Sequence, residues 1–426
     1  MERERSQREQ FMRFVGPDAL PEHMVEGLQQ SELAKLSNNR RPIDFFEPRN
    51  GEEFDAPTSF RDKADLDQLL RYAARHNTND IHLGDQVPVK ARVSGTLYTL
   101  TERNLTQDEL RSMMTSIYDG SGAAVTAVLG GGRIDTAYEC PPTDKQDRSR
   151  WRVNMTLRYA NGGNGFRVVM RQISSDPPPL EKIKMPSDVV DAVMSLQRGL
   201  FLMTGPTGSG KSTSLSSLVA YRLASPAHSD HIVTIESPIE FVYDRCPRPY
   251  SEVTQHEVPR MMKTFNDGVV NALREDPDLI LLGEMRDRET MLSGIEASLT
   301  GHGLLSTLHT NSVVATVDRI LKAFSPSERP AIQADLIDNL HMIVSQLLAK
   351  TVDGGRIALR ERLSIDGAIK ERLRRANNLA EQLRKEMQSS GRLMVEEARD
   401  AFKDGAITRE TLDWYEQMDR MEREAA

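Results

Sequence analysis

Apolar residues in the first part of the chain follow two periodicities. In DLDQLLRYAARH, which begins at Asp65, they recur every three or four positions, and this spacing predicts a helix. Later runs such as VKARVSGTLYTL and RWRVNMTLRYA alternate between apolar and polar residues, as strands with one buried face do. Thr106, with Glu109 three positions later, predicts a capping box at the start of a second helix. This mixture predicts a small α+β domain over residues 61–173.

The pattern changes after residue 173. Residues 174–186 are rich in proline, which restricts the backbone, and they predict a semi-rigid linker. Over residues 187–360, apolar runs such as GLFLMTG and LILLGE alternate with helical stretches, which predicts a parallel sheet covered by helices on both faces. Residues 361–426 are highly charged and predict a helical C-terminal region. Residues 1–60 are rich in charge, proline and asparagine, and they predict an extension without a core of its own.

The composition excludes several classes of protein. The 426 residues are 38% hydrophobic and 28% charged, and no apolar run approaches the ~20 residues that a membrane-spanning helix needs. The charged amino terminus lacks the apolar core of a secretory signal peptide. Two widely spaced cysteines, Cys140 and Cys246, fit a reducing compartment. The formal charge of -8 does not favour direct binding of nucleic acid. We therefore expect a soluble cytoplasmic protein.

A complete phosphate-binding motif follows the first apolar strand of the second domain. GPTGSGKS fits the P-loop pattern, between a predicted strand that ends at Met203 and a predicted helix. Glycines allow the backbone N–H groups to face phosphates, and the lysine reaches the β- and γ-phosphates. Ser212 is the expected ligand of Mg²⁺. The motif predicts binding of ATP and Mg²⁺ by Gly205, Pro206, Thr207, Gly208, Ser209, Gly210, Lys211, Ser212 and Thr213.

Three carboxylates follow two further predicted strands. Glu236 ends the strand in HIVTIESPIE, Glu240 follows it, and Glu284 follows the strand LILL. Because ligands of parallel α/β sheets bind at the carboxyl ends of the strands, we expect these residues beside the P-loop. There a carboxylate can orient the attacking water or support Mg²⁺. Gly283 stands where many P-loop enzymes have a metal-binding aspartate, which argues against small GTPases and nucleotide kinases.

Two histidines bracket the next predicted strand. In TGHGLLSTLHTNS, residues 300–312, His302 precedes the strand and His309 follows it. We expect both at the edge of the sheet that holds the phosphate site, where they would sense the terminal phosphate. The spacing of these histidines is not that of metal ligands, and no cysteine or acidic residue lies close to them in the sequence, so a metal site of their own is not favoured.

These four segments, in this order, resemble the secretion ATPase superfamily, which includes type II secretion and type IV pilus motors. Its Walker A, Asp box, Walker B and His box look like residues 205–212, 235–240, 279–284 and 300–309 here. The resemblance implies a PAS-like N-terminal domain, a RecA-like P-loop ATPase domain and assembly of a homohexamer. One departure is Ser237, which replaces an acid of the family's IEDPIE motif.

The resemblance also implies that arginines of the N-terminal domain complete a nucleotide site at a domain or subunit boundary. The matching RVN and RVVMR strands contain Arg152, Arg167 and Arg171. A guanidinium stabilises charge that develops on a transferred phosphoryl group. For each arginine, the alternative is an ordinary solvated position on a strand.

The C-terminal region bears on which machine the motor drives. The stretch RERLSIDGAIKERLRRANN lacks the AIRNLIRE-like motif that is usual in pilus retraction ATPases. Residues 389–412 resemble instead the branch of DotB and TraJ, the ATPases of type IVB secretion and conjugal transfer. The chain also lacks the tetracysteine region of many type II secretion motors. The resemblance therefore implies a motor that hydrolyses ATP to power a type IVB secretion or conjugal transfer channel, and that associates with the inner membrane through partners.

Three alternatives stay open at the level of sequence. A type IV pilus retraction ATPase would use the same chemistry with a different partner. A DNA-stimulated translocase would use the same ATP core, although the acidic balance of the chain does not favour it. A scaffold that binds ATP without turnover would not need Glu284.

Overall fold

The computed structural model describes residues 54–141, 148–160 and 162–424, which divide between Ile173 and Ser174 into two compact units. The N-terminal unit is a six-stranded antiparallel sheet with three helices, in the strand order β3-β2-β1-β6-β5-β4. This architecture confirms the predicted α+β domain. Its elements are α1 (Lys63–Arg75), β1 (Thr78–Gly84), β2 (Lys90–Val93), β3 (Thr96–Thr99), α2 (Gln107–Ile117), α3 (Ala123–Leu129), β4 (Ile134–Cys140), β5 (Ser149–Ala160) and β6 (Gly163–Ile173).

Both predicted helices of the N-terminal unit form, and their starts are fixed by side-chain caps. The Asp62 carboxylate accepts from the backbone N–H of Ala64 and Asp65 at the start of α1. At the start of α2, Thr106 and Glu109 form the predicted capping box. The apolar faces of the helices pack on one face of the sheet, around the buried Trp151.

The first described residues belong to this core. Phe60 is buried in it, and Phe54 packs against it. The N-terminal domain therefore starts before residue 61. Residues 54–60 belong to this domain and not to the extension that is predicted for residues 1–60. The rest of the predicted extension lies outside the described residues.

The C-terminal unit is built on a seven-stranded sheet with the order β13-β12-β7-β11-β10-β8-β9. Six strands are parallel, and β13 is antiparallel to β12. Its elements are α4 (Ser187–Met194), β7 (Gly199–Thr204), α5 (Lys211–Ala224), β8 (His231–Glu236), β9 (Glu252–Glu257), α6 (Phe265–Ala272), β10 (Leu279–Leu282), α7 (Arg288–Leu299), β11 (Gly303–Leu308), α8 (Val313–Lys322), α9 (Arg329–Asn339), β12 (Leu340–Lys350), β13 (Arg356–Ser364), α10 (Gly367–Arg374), α11 (Leu379–Ser390), α12 (Met394–Lys403) and α13 (Arg409–Glu424).

The parallel sheet is covered on both faces, as the sequence predicts. Every residue of β7, β10 and β11 is buried. One face packs against α4 and α5, and the other packs against the helices from α6 to α11. Each fully buried Leu, Ile or Phe side chain stabilises the fold by about 1.5–3 kcal/mol, so this core holds the strand ends in fixed positions.

The C-terminal helical region starts later than predicted. Strand β13 continues to Ser364, beyond the predicted boundary at residue 360, and the helices begin at Gly367. The last two helices, α12 and α13, pack on the β12–β13 hairpin through a small separate cluster that includes Leu359, Ile407 and Tyr415. Among the described residues, no helix combines the length and the apolar character needed to cross a membrane.

Candidate active site

A glycine-rich loop connects the central strand β7 to helix α5. Gly210 caps the helix with a φ of 84°, and Gly205 has a φ of 143°, both of which favour glycine. A Cβ atom on Gly205 would lie 2.3 Å from the backbone oxygen of Gln346. Strand β12, which carries Gln346, therefore supports the loop from beneath and leaves no room for another residue at position 205. Pro206, Thr207 and Gly208 form the exposed tip of the loop.

The lysine of the motif is buried among oxygen atoms. Its Nζ atom donates hydrogen bonds to the backbone oxygens of Gly205, at 2.8 Å, and Pro206, at 3.0 Å. Burial lowers the pKa of Lys211, and the negative charges of Glu284 and Glu240 act in the opposite direction. The charged ammonium group thus lies within the electrostatic reach of two of the predicted carboxylates.

The loop residues fit a polyphosphate group. The Ser209 hydroxyl is buried, and it has no hydrogen-bond partner among the described residues. Ser212 and Thr213 lie in the first turn of α5 and are partly exposed. Unpaired polar groups, a helix N-terminus and a buried ammonium ion are what an anionic phosphate chain requires. Ser212 is the last residue of the P-loop motif, and its hydroxyl is the one that can bind Mg²⁺.

Two carboxylates lie at the same edge of the sheet as the loop. Strands β8 and β10 are parallel neighbours, and Gly283, just after β10, donates its N–H to the backbone oxygen of Ile235 at 2.8 Å. A Cβ atom at position 283 would lie 3.1 Å from that oxygen, so glycine permits the close approach of the two strand ends. This approach brings Glu236, at the end of β8, to the same edge as Glu284.

Glu236 is the more buried of these two acids. One of its carboxyl oxygens accepts hydrogen bonds from the Thr234 hydroxyl at 2.8 Å and from the Gln255 amide at 3.4 Å. Burial raises the pKa of Glu236 to about 7, and the charge of the neighbouring Glu240 acts in the same direction. Near neutral pH, the protonated form of Glu236 is therefore well populated.

Glu284 is paired with basic residues. It forms an ion pair with Arg286, and the Nε2 atom of His309 lies 3.6 Å from its Oε2 atom. The backbone holds this arrangement, because Met285 donates its N–H to the oxygen of Thr307 at 3.0 Å, and the Thr307 hydroxyl donates to the oxygen of Gly283 at 2.7 Å. His309 follows β11 and is half exposed, so it is open to a ligand at this edge.

The other predicted histidine lies elsewhere. His302 precedes β11, and its backbone oxygen accepts from the N–H of Gly199, the first residue of β7. The phosphate loop follows the last residue of β7, so His302 lies at the opposite edge of the sheet. The expectation that both histidines flank the phosphate site is wrong, because a six-residue strand separates its two ends by about 20 Å.

The three predicted arginines share the face of the N-terminal sheet that is opposite its core. Arg152 pairs directly with Arg171 across β5 and β6, and Arg167 lies further along β6. The Nε atom of Arg171 donates to the Asp80 carboxylate at 2.7 Å, although the arginine side chain remains 69% exposed. The Arg167 guanidinium lies 2.7 Å from Nδ1 of His82. The structure therefore brings these arginines together within their own unit.

Sequence reasoning missed a set of polar residues behind the phosphate loop. Gln346 of β12, Ser214 of α5 and Arg360 of β13 are all buried and are joined by hydrogen bonds. Burial lowers the pKa of Arg360 to about 10. A signal was present, because Ser345 and Gln346 together interrupt the apolar run between residues 342 and 349. The same residues line one wall of a cavity of about 600 Å³, which also includes Gly210 and residues 182–184.

Comparisons with known proteins give a consistent assignment. The profile of the type II/IV secretion system protein family matches residues 62–420. The type IV pilus retraction ATPase PilT of Pseudomonas aeruginosa is 35% identical over 313 residues, which are 73% of this chain and 85% of that protein. The solved structure of the Legionella pneumophila ATPase DotB matches with a TM-score of 0.79 and 37% identity, and the match covers 84% of this chain and 97% of DotB.

A second solved structure, the pilus retraction motor PilT with bound ADP, matches with a TM-score of 0.70 and 31% identity over 82% of this chain and 96% of that one. These matches confirm the resemblance to the secretion ATPase superfamily and the closeness to DotB. The chain therefore belongs to the type II/IV secretion system protein family, which includes secretion and pilus motor ATPases.

Proposed function

We propose that this chain is the subunit of a homohexameric motor that hydrolyses ATP to power a type IVB secretion or conjugal transfer system. The main observation behind the proposal is that Lys211, Glu240 and Glu284 lie close together at the carboxyl ends of β7 and its neighbouring strands. An ammonium ion and carboxylates beside a glycine loop are the groups that phosphoryl transfer requires. The bound ADP in the PilT structure supports a nucleotide as the ligand.

Each residue of the loop has a distinct role in this proposal. Lys211 binds the β- and γ-phosphates, and the Ser209 hydroxyl and the backbone N–H groups of the loop, to which Pro206 contributes none, hold the phosphate chain. Ser212 holds Mg²⁺, which neutralises phosphate charge and polarises the terminal phosphate when it is bound. Burial lowers the pKa of Lys211, whereas the charges of Glu284 and Glu240 favour its ammonium form.

Glu284 is our candidate for the residue that orients and deprotonates the attacking water. Glu236 is buried, and one of its carboxyl oxygens already accepts hydrogen bonds from the Thr234 hydroxyl and the Gln255 amide, so it is less open to an attacking water molecule. Glu284 lies instead at the partly exposed end of β10, in contact with Arg286 and His309. In this assignment His309 orients Glu284 and responds to the terminal phosphate, whereas Glu236 and Glu240 shape the field around Lys211. His302 has no part in it.

The arginines of the N-terminal sheet would act between subunits. Arg152, Arg167 and Arg171 share one sheet face, and Arg171 is largely exposed. An exposed guanidinium that another subunit moves into place stabilises transition-state charge only when the ring closes. Such delivery would couple each hydrolysis event to movement within the ring.

The choice of machine rests on the C-terminal half of the chain and on the solved relatives. DotB matches with a higher TM-score than PilT, 0.79 against 0.70, and with higher identity, 37% against 31%. Residues 389–412, which resemble the DotB and TraJ branch, form part of the cover on the β12–β13 hairpin. We therefore place the motor on the cytoplasmic side of the inner membrane, where channel components of the transfer system hold it.

A pilus retraction motor is the second candidate. It is favoured by the 35% identity to the type IV pilus retraction ATPase PilT over 73% of this chain. The two functions share the same ATP chemistry and differ in the machine that receives the force. The two functions are therefore distinguished by an assay of transfer or motility in cells, and not by an assay of ATP hydrolysis.

The deciding experiment replaces the native copy with Glu284→Gln and measures transfer of plasmid or effector protein from donor to recipient cells. We expect transfer to be lost at normal protein level. The matched control is Glu296→Gln, an exposed position on α7, which should transfer normally. Unimpaired transfer with a loss of surface motility would overturn the secretion assignment and favour pilus retraction.

A further inference from the structure

A buried arginine lies behind the phosphate loop, and the charge of Glu397 acts on it only at a distance, because its hydrogen bonds among the described residues end on neutral groups. Arg360 is 1% exposed. Its guanidinium donates to the Gln346 side chain at 2.7 Å, to the Ser214 hydroxyl at 3.4 Å, and to the backbone oxygens of Ile183, at 3.1 Å, and Lys184, at 3.0 Å. Within residues 54–141, 148–160 and 162–424, none of its hydrogen bonds ends on a carboxylate. Burying a cation in this way is costly, and a simple packing role would be filled better by an apolar side chain.

Arg360 fixes the orientation of the Gln346 amide. A guanidinium has only donors, so the Gln346 atom that faces it must be the oxygen Oε1. The Ser214 hydroxyl donates to the same oxygen at 2.8 Å. The amide nitrogen is thereby directed at the phosphate loop, where it donates to the backbone oxygen of Ser209 at 2.6 Å.

The other end of the guanidinium binds the segment that leads into the C-terminal unit. Ile183 and Lys184 belong to the proline-rich residues 174–186, which form a short turn closed by the hydrogen bond from Met185 to Leu180. The Arg360 side chain therefore hydrogen-bonds both to Gln346, which supports the phosphate loop, and to this segment. A shift of the loop backbone at Ser209 changes the same hydrogen-bonded set that holds Ile183 and Lys184.

We infer that Arg360 is a positioning residue, which sets the phosphate loop through Gln346 and ties the loop to the linker at Ile183 and Lys184. The inference rests on the proposed nucleotide site and adds to it a pair of residues outside the motif. It predicts that nucleotide affinity depends on the orientation of the Gln346 amide, and that nucleotide binding alters the linker backbone only while Arg360 is present.

The variant Gln346→Glu separates positioning from structural support. Its carboxylate accepts from Arg360 and Ser214 as before and gives the buried cation a counter-charge, which offsets the lost hydrogen bond to Ser209, so the melting temperature should stay close to that of the natural chain. It cannot donate to Ser209, and its second oxygen faces the Ser209 oxygen. We expect affinity for ADP, the probe, to fall roughly tenfold or more. The KM for ATP should rise in parallel, with a smaller change in kcat.

Arg360→Lys and Arg360→Met complete the series. Lysine keeps the charge but cannot reach the same set of acceptors, so it should restore part of the affinity that methionine removes. The control is Arg375→Met, a surface position that is 79% exposed and should bind ADP as the natural chain does. Hydrogen exchange at the amides of residues 182–185 should change on addition of ADP in the natural chain and not in Arg360→Lys.

Two results would overturn the inference. The first is an ADP affinity in Gln346→Glu equal to that of the natural chain, which would show that the orientation of the amide does not affect binding. The second is a loss of ADP affinity that follows the loss of melting temperature across the series, which would reduce Arg360 to structural support. Lys211→Ala distinguishes this failure from that of the proposed function. If Lys211→Ala abolishes ADP binding while the Gln346 and Arg360 variants bind normally, only the inference fails; if Lys211→Ala also binds normally, the nucleotide site itself is wrong.

Discussion

Glu109 of the N-terminal unit and Glu236 of the C-terminal unit are both buried carboxyl groups, but their surroundings differ in kind. Glu109 accepts from the backbone of Phe60 and Thr106 and from the Arg103 guanidinium, and these hydrogen bonds lower its pKa to about 2 despite the opposing effect of burial. Glu236 has only weak neutral donors, and burial raises its pKa to about 7. The first carboxylate stabilises its unit, whereas the second costs its unit stability once it is ionised.

The same contrast extends to the functional groups of the two units. In the C-terminal unit, the candidate catalytic residues lie at the ends of buried parallel strands, where the core fixes their positions. In the N-terminal unit, the candidate arginines lie along the strands of an antiparallel sheet, and Arg171 bonds to Asp80 of its own unit. The C-terminal unit therefore contains a candidate site of its own, whereas the arginines of the N-terminal unit would, in our proposal, act on a neighbouring subunit.

The largest effect should follow from removing the ammonium group at the phosphate site. Lys211→Ala removes the ammonium group near Glu240 and Glu284 and, with it, the main attraction for phosphate. We expect ATP turnover to fall below detection and ADP affinity to fall by ~100-fold or more. Isothermal titration with ADP measures this, with Lys322→Ala, an exposed lysine on α8, as the control. Natural affinity in Lys211→Ala would contradict the assignment of the C-terminal site.

The next effect concerns the arginines and tests whether the N-terminal unit acts on another subunit. Arg171→Ala should lower kcat by on the order of 10³-fold while ADP affinity stays within a few fold. Mixing it with Lys211→Ala subunits should restore turnover, since a mixed ring pairs an intact phosphate loop with an intact arginine. If the mixture stays inactive while both variants assemble, the arginine does not act between subunits. The same mixing is repeated for Arg152→Ala and Arg167→Ala.

A smaller effect compares stability at different pH values. Glu236 has a pKa of about 7 in the folded protein against 4.5 without the fold, so its contribution to stability is complete below pH 4.5 and is lost as the pH rises through 7. Glu236→Gln is neutral at every pH. The melting temperature of the variant minus that of the natural chain should therefore increase from about pH 5 to about pH 8. A difference that is constant over this range would contradict the raised pKa.

The smallest effect is the opposite pH dependence at Glu109. Its pKa of about 2 lies below 4.5, so its contribution to stability is present above pH 4.5 and is lost as the pH falls towards 2. Glu109→Gln should lose about 1–3 kcal/mol at neutral pH, and the loss should shrink in acid. In a Trp414→Phe background, the buried Trp151 is the one tryptophan and reports unfolding of the N-terminal unit. A loss that grows in acid would contradict the account.

Local patterns predicted much of both units. The capping box of Thr106 and Glu109 forms because it needs only residues within one turn of helix. The sequence also located the edge of the sheet that holds Glu236 and Glu284, because parallel neighbours end at the same edge. These inferences depend on spacing along a single element or on a general property of parallel sheets.

The failures share a physical cause, which is the geometry between distant segments. His302 was expected beside His309, but two residues that bracket a strand lie at its opposite ends. Strand β13 was assigned in part to the helical region, because its arginines masked the alternation in RIALRERLS. Arg360 of β13 reaches Ser214, 146 residues away, only because β12 lies between β13 and β7 in the sheet.

The central claim is that this chain hydrolyses ATP with Glu284 as the residue that activates water. The most direct test is the single-turnover rate of Glu284→Gln, measured beside Glu296→Gln, with ADP affinity determined on the same preparations. The account predicts a rate lowered by about 10²–10⁴-fold with affinity retained, and a natural rate in the control. A rate of hydrolysis in Glu284→Gln equal to that of the natural chain would contradict the central claim and would leave Glu236 or Glu240 as the candidate base.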